Sequence, residues 1–341
     1  MEAANHSLAA NTWRSYSTAE KHIMRVEKET GVRMSFPFTL RTTLAYIGYL
    51  LNSKESGGRG IQGKSVEKYI SALRLIHMKK GFFSPHLRPE IVGQIIRGAC
   101  NRDQIKKRMQ GKTGRLAMTP ELMLKLKNRL AQSKMRLSKK RIIWAVSTIS
   151  WAGALRIHEI LSKHGDKFDP MTTLLASDIT STEAMVGDRK VKALKMVLKH
   201  PKEERLSAGV IIDLFATGDF MCPVKAHTDW LRDKVVNLST LKPMYRLADG
   251  QAYTGAAFNK DLRNILKQDV DYEKSPVTAH SFRAGLATFM AKAGYEDSEI
   301  MKIGRWHSEA FLAYIKTPRE VRAKLAEELA SRVAESIRLE E

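Results

Sequence analysis

The sequence has 341 residues, more than one hydrophobic core usually supports, so it predicts two domains. A formal net charge of +22 indicates a polyanionic partner, and nucleic acid is favoured over a membrane because neither terminus has a basic amphipathic helix with a bulky apolar face. With no long apolar run and no signal-peptide pattern, we expect a soluble, intracellular protein. If its partner is DNA, we expect it in the nucleus of a eukaryote or in the cytoplasm or nucleoid of a prokaryote.

Apolar residues at helical spacing predict four helices in the first part of the chain. The first begins at about Asn11, the second covers 40–51, the third begins at about Ser65, and the fourth runs from about Pro89 to about Asn101. They predict a small all-helical domain over residues 1–103. Basic residues of the third helix lie off its apolar stripe and are candidate DNA contacts, namely Lys64, Lys68 and Arg74.

The segment that follows changes character, because basic residues accumulate with Gly111 and Gly114 and almost no large apolar residue. This composition predicts a basic linker over residues 104–117. A flexible basic segment that crosses a DNA backbone gains binding energy from counterion release. The candidate DNA contacts in and beside this linker are Arg102, Lys106, Lys107, Arg108, Lys112 and Arg115.

Residues 118–341 predict a second, mixed domain. Thr119-Pro120-Glu121 has the signals of a helix start, and helices are expected as far as about Leu161. Strands are predicted over 190–199 and 210–214, with a polar turn between them, and helices return from Ser281. A last helix is predicted over 317–341, and its narrow apolar stripe is expected to pack on a neighbouring subunit or, as the alternative, on its own domain. The predicted fold class is therefore mainly α, with a small β-hairpin or sheet, in two domains that clamp DNA.

The two cysteines, Cys100 and Cys222, lie far apart and have no cysteine or histidine at metal-ligand spacing beside them. Two free thiols are expected. The sequence therefore predicts neither a metal site nor a cofactor.

Four short features carry candidate chemistry, although each has an ordinary structural explanation. The first is Arg156 with Glu159 three residues later, and the second is His280 with Arg283 at the same spacing, which places both side chains on one helix face. The third and fourth are the run Gly304-Arg305-Trp306-His307 followed by Tyr314, and a lysine in the polar turn, for which Lys202 is favoured and Lys199 is the alternative.

Together these residue types meet the needs of one reaction, the cleavage of a phosphodiester bond without a metal. Two arginines can bind the non-bridging oxygens in bidentate fashion and stabilise the transition state. A lysine on a hairpin can protonate the leaving oxygen. A tyrosine, whose unperturbed pKa is near 10, becomes a nucleophile when a positive cluster favours its phenolate.

In order and spacing, the series Arg156, Glu159, Lys202, His280, Arg283, Trp306 and Tyr314 resembles the active site of the tyrosine recombinase and phage integrase family. The resemblance spans both halves, with the first similar to the family's helical, SAM-like core-binding domain. It implies that Arg156 and Arg283 clamp the phosphate, that His280 binds it and moves protons, and that Tyr314 is the nucleophile. Glu159 would support the arginines.

One departure concerns the residue that follows a glycine, where the family usually has histidine or tryptophan. Here Trp306 and His307 both stand one position or more beyond the expected place, and Trp306 is preferred as the residue that packs on and donates to the phosphate. The arrangement Arg305-Trp306-His307-Ser308 is similar to recombinases of eukaryotic crypton and DIRS-like transposons, which are mobile elements.

The resemblance implies a site-specific recombinase or integrase that acts on double-stranded DNA through a 3′-phosphotyrosine intermediate and a Holliday junction. It also implies a homotetramer on two DNA sites that is monomeric in solution. Two alternatives stay open. One is an enzyme like a type IB topoisomerase, which shares the chemistry but relaxes supercoils as a monomer. The other is a catalytically silent DNA-binding protein derived from a recombinase.

Overall fold

The computed structural model describes residues 10–52, 60–87, 89–112, 114–166, 168–199, 209–232, 242–313 and 315, with the backbone alone at 10–15, 310 and 313. The chain divides into two compact units, Met1–Thr113 and Gly114–Glu341. The division falls inside the interval 104–117 that the sequence predicts as a linker. Among the described residues, no helix is long and apolar enough to cross a membrane.

The first unit is a helical bundle. Its helices are α1 (Ala10–Thr30), α2 (Leu40–Asn52), α3 (Gly63–Lys79) and α4 (Glu90–Met109), with a short 3-10 helix at Pro85–Leu87. Their apolar stripes meet in one core. His77 is buried there and joins two segments: its Nε2 accepts from the Phe38 backbone N–H at 2.9 Å, so its Nδ1 carries the proton and donates to the Leu73 carbonyl at 2.8 Å.

The expected end of the fourth helix near Asn101 is wrong, because α4 continues to Met109. From Gln104 to Met109 every side chain of this helix is exposed. The scarcity of apolar residues in this stretch therefore marks the end of a helix that buries no side chain within its own unit. Such a stretch can remain helical because a helix satisfies its own backbone hydrogen bonds. Four of the candidate DNA contacts that the sequence places in or beside the flexible linker lie on this helix instead, namely Arg102, Lys106, Lys107 and Arg108.

The second unit combines helices with a small antiparallel sheet. It begins with α5 (Pro120–Gln132), α6 (Leu137–Ala152) and α7 (Ile157–Ile160), and Thr119 caps α5 by accepting from the Leu122 backbone N–H at 3.3 Å. The sheet has the order β1 (Ile179–Val186), β2 (Arg189–Leu198) and β3 (Val210–Phe215). The remaining helices are α8 (Pro223–Arg232), α9 (Gly255–Leu266), α10 (His280–Lys292) and α11 (Asp297–Gly304), followed by a 3-10 helix at Glu309–Ala313.

The predicted fold class and the two predicted strands are confirmed, but β1 was not predicted. Its register pairs Ile179 with Met196 and Val186 with Arg189, so β1 and β2 form a hairpin around Gly187. The sequence of β1 begins Ile-Thr-Ser-Thr-Glu and leaves most of its side chains exposed, so it lacks the apolar alternation that marks a half-buried strand.

The segment that enters the second unit is fixed to the start of α10. The backbone N–H of Met118 donates to the Ser281 carbonyl at 2.8 Å, and the Met118 carbonyl accepts from Trp151 Nε1 at 2.9 Å. Gly285 permits this approach, because a Cβ at that position would lie 2.1 Å from the Met118 oxygen. Residues 116–118, α6 and the first turns of α10 are thus held together, and the site described below lies at this junction.

One buried histidine predicts how this unit responds to acid. His227 is 2% exposed beside the Tyr245 hydroxyl, and burial lowers its pKa to about 4. The folded state therefore resists protonation, whereas the unfolded chain binds a proton near pH 6.5. Stability is fully present above about pH 6.5 and is lost as the pH falls toward 4, by up to about 3 kcal/mol.

Urea unfolding of the protein between pH 7.5 and 4 measures this loss. The variant His227→Gln should show a smaller decline across the same window, and His86→Gln, at an exposed position, should decline like the parent. An equal decline in all three proteins would assign the acid sensitivity to other groups.

Candidate active site

Arg156 and Glu159 lie together at the start of α7. The Arg156 backbone N–H donates to Glu159 Oε2 at 2.8 Å, and Arg156 Nη1 donates to Oε1 at 3.0 Å. The turn before them is tight, because Ala154 has a φ of 45° directly after Gly153. This turn ends α6 and directs the chain so that both charged side chains lie at the edge of the second unit's core, 19% and 7% exposed.

Arg283 comes to the same place from α10. It is 1% exposed, its Nη1 donates to the Ala154 carbonyl, and its guanidinium carbon lies 4.2 Å from the centroid of the Trp306 ring. A guanidinium stacked on an indole keeps its charge while its apolar face is covered. Arg283 therefore links α10 to the turn that precedes Arg156, and two arginines 127 positions apart converge on one location (283 minus 156).

His280, the first residue of α10, adds an imidazole to this cluster. Its pKa is lowered from 6.5, first by desolvation and then by the positive charges of Arg115, Arg156 and Arg283, with a further contribution from His158. A lowered pKa keeps the ring neutral at pH 7, so it has one nitrogen that donates and one that accepts. Arg115, assigned from the sequence to the DNA-crossing linker, thus also contributes charge to this site.

Trp306 has a packing role in the described structure. It is 9% exposed and belongs to a small apolar cluster with Ile300 and Phe311, whose ring centroid lies 5.7 Å from that of Trp306. The ring covers Gly304, where a Cβ would lie 1.6 Å from the indole, so only glycine fits. The alternative residue, His307, has an exposed side chain. Which of the two contacts a phosphate stays a prediction.

Arg305 is the site residue that the sequence analysis missed. It ends α11 in the left-handed conformation, with φ 52° and ψ 53°, and its Nη2 donates to Glu159 Oε2 at 3.1 Å. Its Nη1 lies 3.4 Å from the Gly153 carbonyl. A signal was available, because Arg305 directly follows Gly304, the place at which the family usually has histidine or tryptophan.

The remaining catalytic candidates are less completely placed. Lys202 and Tyr314 lie outside the described residues, as does the predicted tail helix 317–341. Lys199, at the end of β2, has its Nζ 2.8 Å from Asp178 Oδ2 and donates to the Pro170 carbonyl at 2.9 Å. These two contacts of the ammonium group are made with residues outside the arginine cluster. On either side of Tyr314, Phe311 is buried and Ile315 packs against the Trp306 cluster.

The candidate DNA contacts differ in their availability. Arg74 donates through Nε and Nη2 to the Leu87 carbonyl at 3.2 and 2.7 Å, so it stabilises the first unit, and its contact with DNA also stays a prediction. The other candidates have exposed side chains, namely Lys64, Lys68, Arg102, Lys106, Lys107, Arg108, Lys112 and Arg115. Their contact with DNA stays a prediction.

Cys100 and Cys222 are free thiols, and no metal-binding group of His, Cys, Asp or Glu occurs among the described residues.

No protein-family model and no curated protein matches the sequence. Solved structures do match the fold. The XerH site-specific recombinase bound to palindromic difH substrate, in a post-cleavage complex, is 13% identical with a TM-score of 0.58, over 92% of this chain and 78% of that one. The Tn1549 transposon integrase in complex with circular intermediate DNA is 14% identical with a TM-score of 0.54, over 93% and 94% of the two chains.

A lambda integrase dimer bound to a COC′ core site is 13% identical with a TM-score of 0.54, over 92% of this chain and 73% of that one. At these identities the likeness concerns the fold. The chain has the fold of the tyrosine recombinases and integrases, as the resemblance of its motifs predicted.

Proposed function

We propose that this protein is a site-specific DNA recombinase or integrase that cuts and rejoins double-stranded DNA through a covalent bond between Tyr314 and a 3′ phosphate. The convergence of Arg156, Arg283 and His280 carries the proposal. They come from two distant parts of the chain, and they meet in a fold whose similar solved structures are recombinases and integrases in complex with DNA.

In the proposed reaction, the guanidinium groups of Arg156 and Arg283 bind the two non-bridging oxygens of the scissile phosphate. Their charge stabilises the pentavalent transition state and favours the Tyr314 phenolate, which lies outside the described residues. His280 is neutral before DNA binds and can accept a proton from the nucleophile or hold an oxygen by a hydrogen bond. Glu159 orients Arg156 through both the backbone and the side chain of that residue.

The experiment that tests the proposal is covalent capture. The full chain is incubated with nicked suicide duplexes drawn from its own genomic neighbourhood, from which the cut strand dissociates so that religation cannot occur. A protein–DNA adduct that survives denaturation and contains the peptide with Tyr314 is expected, with and without EDTA. Loss of the adduct in EDTA would contradict the metal-free mechanism. No adduct on any duplex would favour a DNA-binding protein without catalysis.

Reactions of the same protein on plasmid DNA distinguish a recombinase from a topoisomerase. We expect joining of two sites on one plasmid, with the strand exchange stalled as a Holliday junction when the sites are mismatched between the cleavage points. Relaxation of supercoiled plasmid without sequence preference, and without exchange, would instead indicate an enzyme of the topoisomerase type.

The proposed assembly is a homotetramer on two duplexes, formed from monomers whose two units clamp the DNA. Sedimentation with and without paired sites measures it.

Lys202 is proposed as the general acid that protonates the leaving 5′ oxygen. The described contacts of Lys199 support this choice, because its ammonium group is already held by Asp178 and the Pro170 carbonyl. Lys202→Ala should cleave normal DNA about a hundredfold more slowly, yet recover on a 5′-bridging phosphorothiolate, whose sulfur leaves without a proton. Lys199→Ala is the matched control and should show no such rescue. Rescue of Lys199→Ala alone would move the role to that residue.

A further inference from the structure

The carboxylate of Glu159 lies between two guanidinium groups that come from different parts of the chain. Its Oε1 accepts from Arg156 Nη1 at 3.0 Å, and its Oε2 accepts from Arg305 Nη2 at 3.1 Å. All three side chains are well shielded, at 19%, 7% and 15% exposure for Arg156, Glu159 and Arg305. At this degree of burial, solvent screens their mutual interactions only in part.

This arrangement has a consequence for the charge of the proposed phosphate site. Glu159 orients Arg156, but a carboxylate at 3.0 Å also cancels most of the positive charge that Arg156 presents to a phosphate. A second guanidinium on the same carboxylate brings the net charge of the three groups back to one positive unit. Arg156 can then be held rigidly by Glu159 without losing its attraction for an anion.

We propose that Arg305 is a positioning residue of the active site, which fixes Glu159 and restores the positive charge that Glu159 withdraws from Arg156. The inference rests on the proposed function and extends it to a residue outside the series that the family resemblance supplies. Arg305 acts on the phosphate indirectly, because it offsets the negative charge of the Glu159 carboxylate that is paired with Arg156.

The backbone around Arg305 is built to deliver this side chain. The left-handed conformation at Arg305 ends α11 and reverses the chain, so that Trp306 enters the apolar cluster beneath Arg283 while Arg305 turns toward Glu159. Its second contact, with the Gly153 carbonyl, is made to the same tight turn whose next carbonyl, that of Ala154, binds Arg283. Neighbouring residues thus serve the two catalytic arginines separately, Trp306 for Arg283 and Arg305 for Arg156.

A double-mutant cycle on DNA cleavage tests the charge argument. Arg305→Gln should slow adduct formation by about a hundredfold, because Glu159 is then paired with Arg156 alone. Adding Glu159→Gln should recover about tenfold of that loss, since the carboxylate that neutralised Arg156 is gone. Lys302→Gln removes the same unit of charge from the exposed face of α11 and should have a far smaller effect.

Two results would overturn the proposal. The first is a rate for Arg305→Gln that equals that of Lys302→Gln. The second is a double variant that cleaves no faster than Arg305→Gln, since a purely structural role predicts additive losses. Arg305→Lys keeps the charge, so its cleavage rate should lie between those of the parent protein and Arg305→Gln. If thermal unfolding shows that Arg305→Gln is not folded, Arg305→Lys replaces it in the comparison.

A second readout does not depend on cleavage. The pKa of His280 is measured by NMR on protein carrying ¹³C-labelled histidine, with His280→Asn for assignment. The positive charges of Arg115, Arg156 and Arg283 lower this pKa. If Arg305 offsets the charge of Glu159 at the site, Arg305→Gln should raise the His280 pKa and the double variant should bring it back, whereas Lys302→Gln should leave it nearly unchanged. If the parent protein forms no adduct, the proposed function fails while this measurement still decides the role of Arg305. An unchanged His280 pKa in Arg305→Gln contradicts the charge argument.

Discussion

Replacing Tyr314 with phenylalanine is expected to abolish the covalent protein–DNA adduct while leaving the affinity for the same duplex nearly unchanged. The substitution removes one oxygen and keeps the ring, so the apolar residues on either side, Phe311 and Ile315, retain their packing. Without that oxygen no bond to phosphorus can form, and loss of a nucleophile that forms a covalent intermediate costs more than about ten-thousandfold in rate. Adduct yield on suicide duplexes and binding by gel shift are measured on the same preparations.

The matched control is Tyr295→Phe, at an exposed tyrosine just beyond the end of α10 in the same unit. It should form the adduct at the rate of the parent protein. Recovery of any denaturation-resistant adduct from Tyr314→Phe would show that another residue is the nucleophile, and the attached peptide would identify it. A large loss of DNA binding in Tyr314→Phe would instead mean that the hydroxyl contributes to the bound complex before cleavage.

Local patterns predicted most of the fold, because the corresponding signals act over a few residues. The cap at Thr119, the apolar stripe of α3 and the alternation along β2 each have a physical cause within one turn or one strand. The features that the sequence did not predict are those whose structure has no local cause of this kind. The exposed strand β1 is held by its pairing with β2 and not by an apolar face, and the end of α4 is stable without burying side chains, so neither has a signature in its own composition.

The candidate site could be predicted as residue types but not as contacts. The spacing of Arg156 and Glu159 is local, and the structure places them in direct contact as a pair at the start of α7. The contact of Arg305 with Glu159 joins residues 146 positions apart, and it depends on a left-handed backbone at a residue that is not glycine. Such a conformation is uncommon outside glycine and leaves no mark in the sequence. Likewise, the stacking of Arg283 on Trp306 follows from the packing of α10 beside α11.

The stacking of Arg283 on Trp306 predicts a large loss of cleavage rate when Arg283 is replaced by lysine. Arg283→Lys preserves the formal charge. A planar guanidinium can form two parallel hydrogen bonds to a phosphate while its flat face rests on an indole, whereas a compact ammonium group can do neither. The variant is expected to slow cleavage by about a thousandfold, with most of the loss in the rate at saturating DNA, because the bidentate contact matters chiefly in the transition state. Single-turnover adduct formation on suicide duplexes measures that rate.

Arg263→Lys supplies the matched control, because Arg263 also stacks on an aromatic ring, with its guanidinium carbon 5.5 Å from the centroid of Tyr272, but is exposed on α9. Losing that stacking should cost less than about 1 kcal/mol of stability and leave cleavage unchanged. Arg283→Lys should also lower stability, since the buried hydrogen bond to the Ala154 carbonyl is lost or weakened. Thermal unfolding of both variants separates the two effects. If Arg283→Lys is folded at the assay temperature and cleaves at the parent's rate, a point charge suffices at this position, and Arg283 serves to hold the Ala154 turn and not to clamp the phosphate.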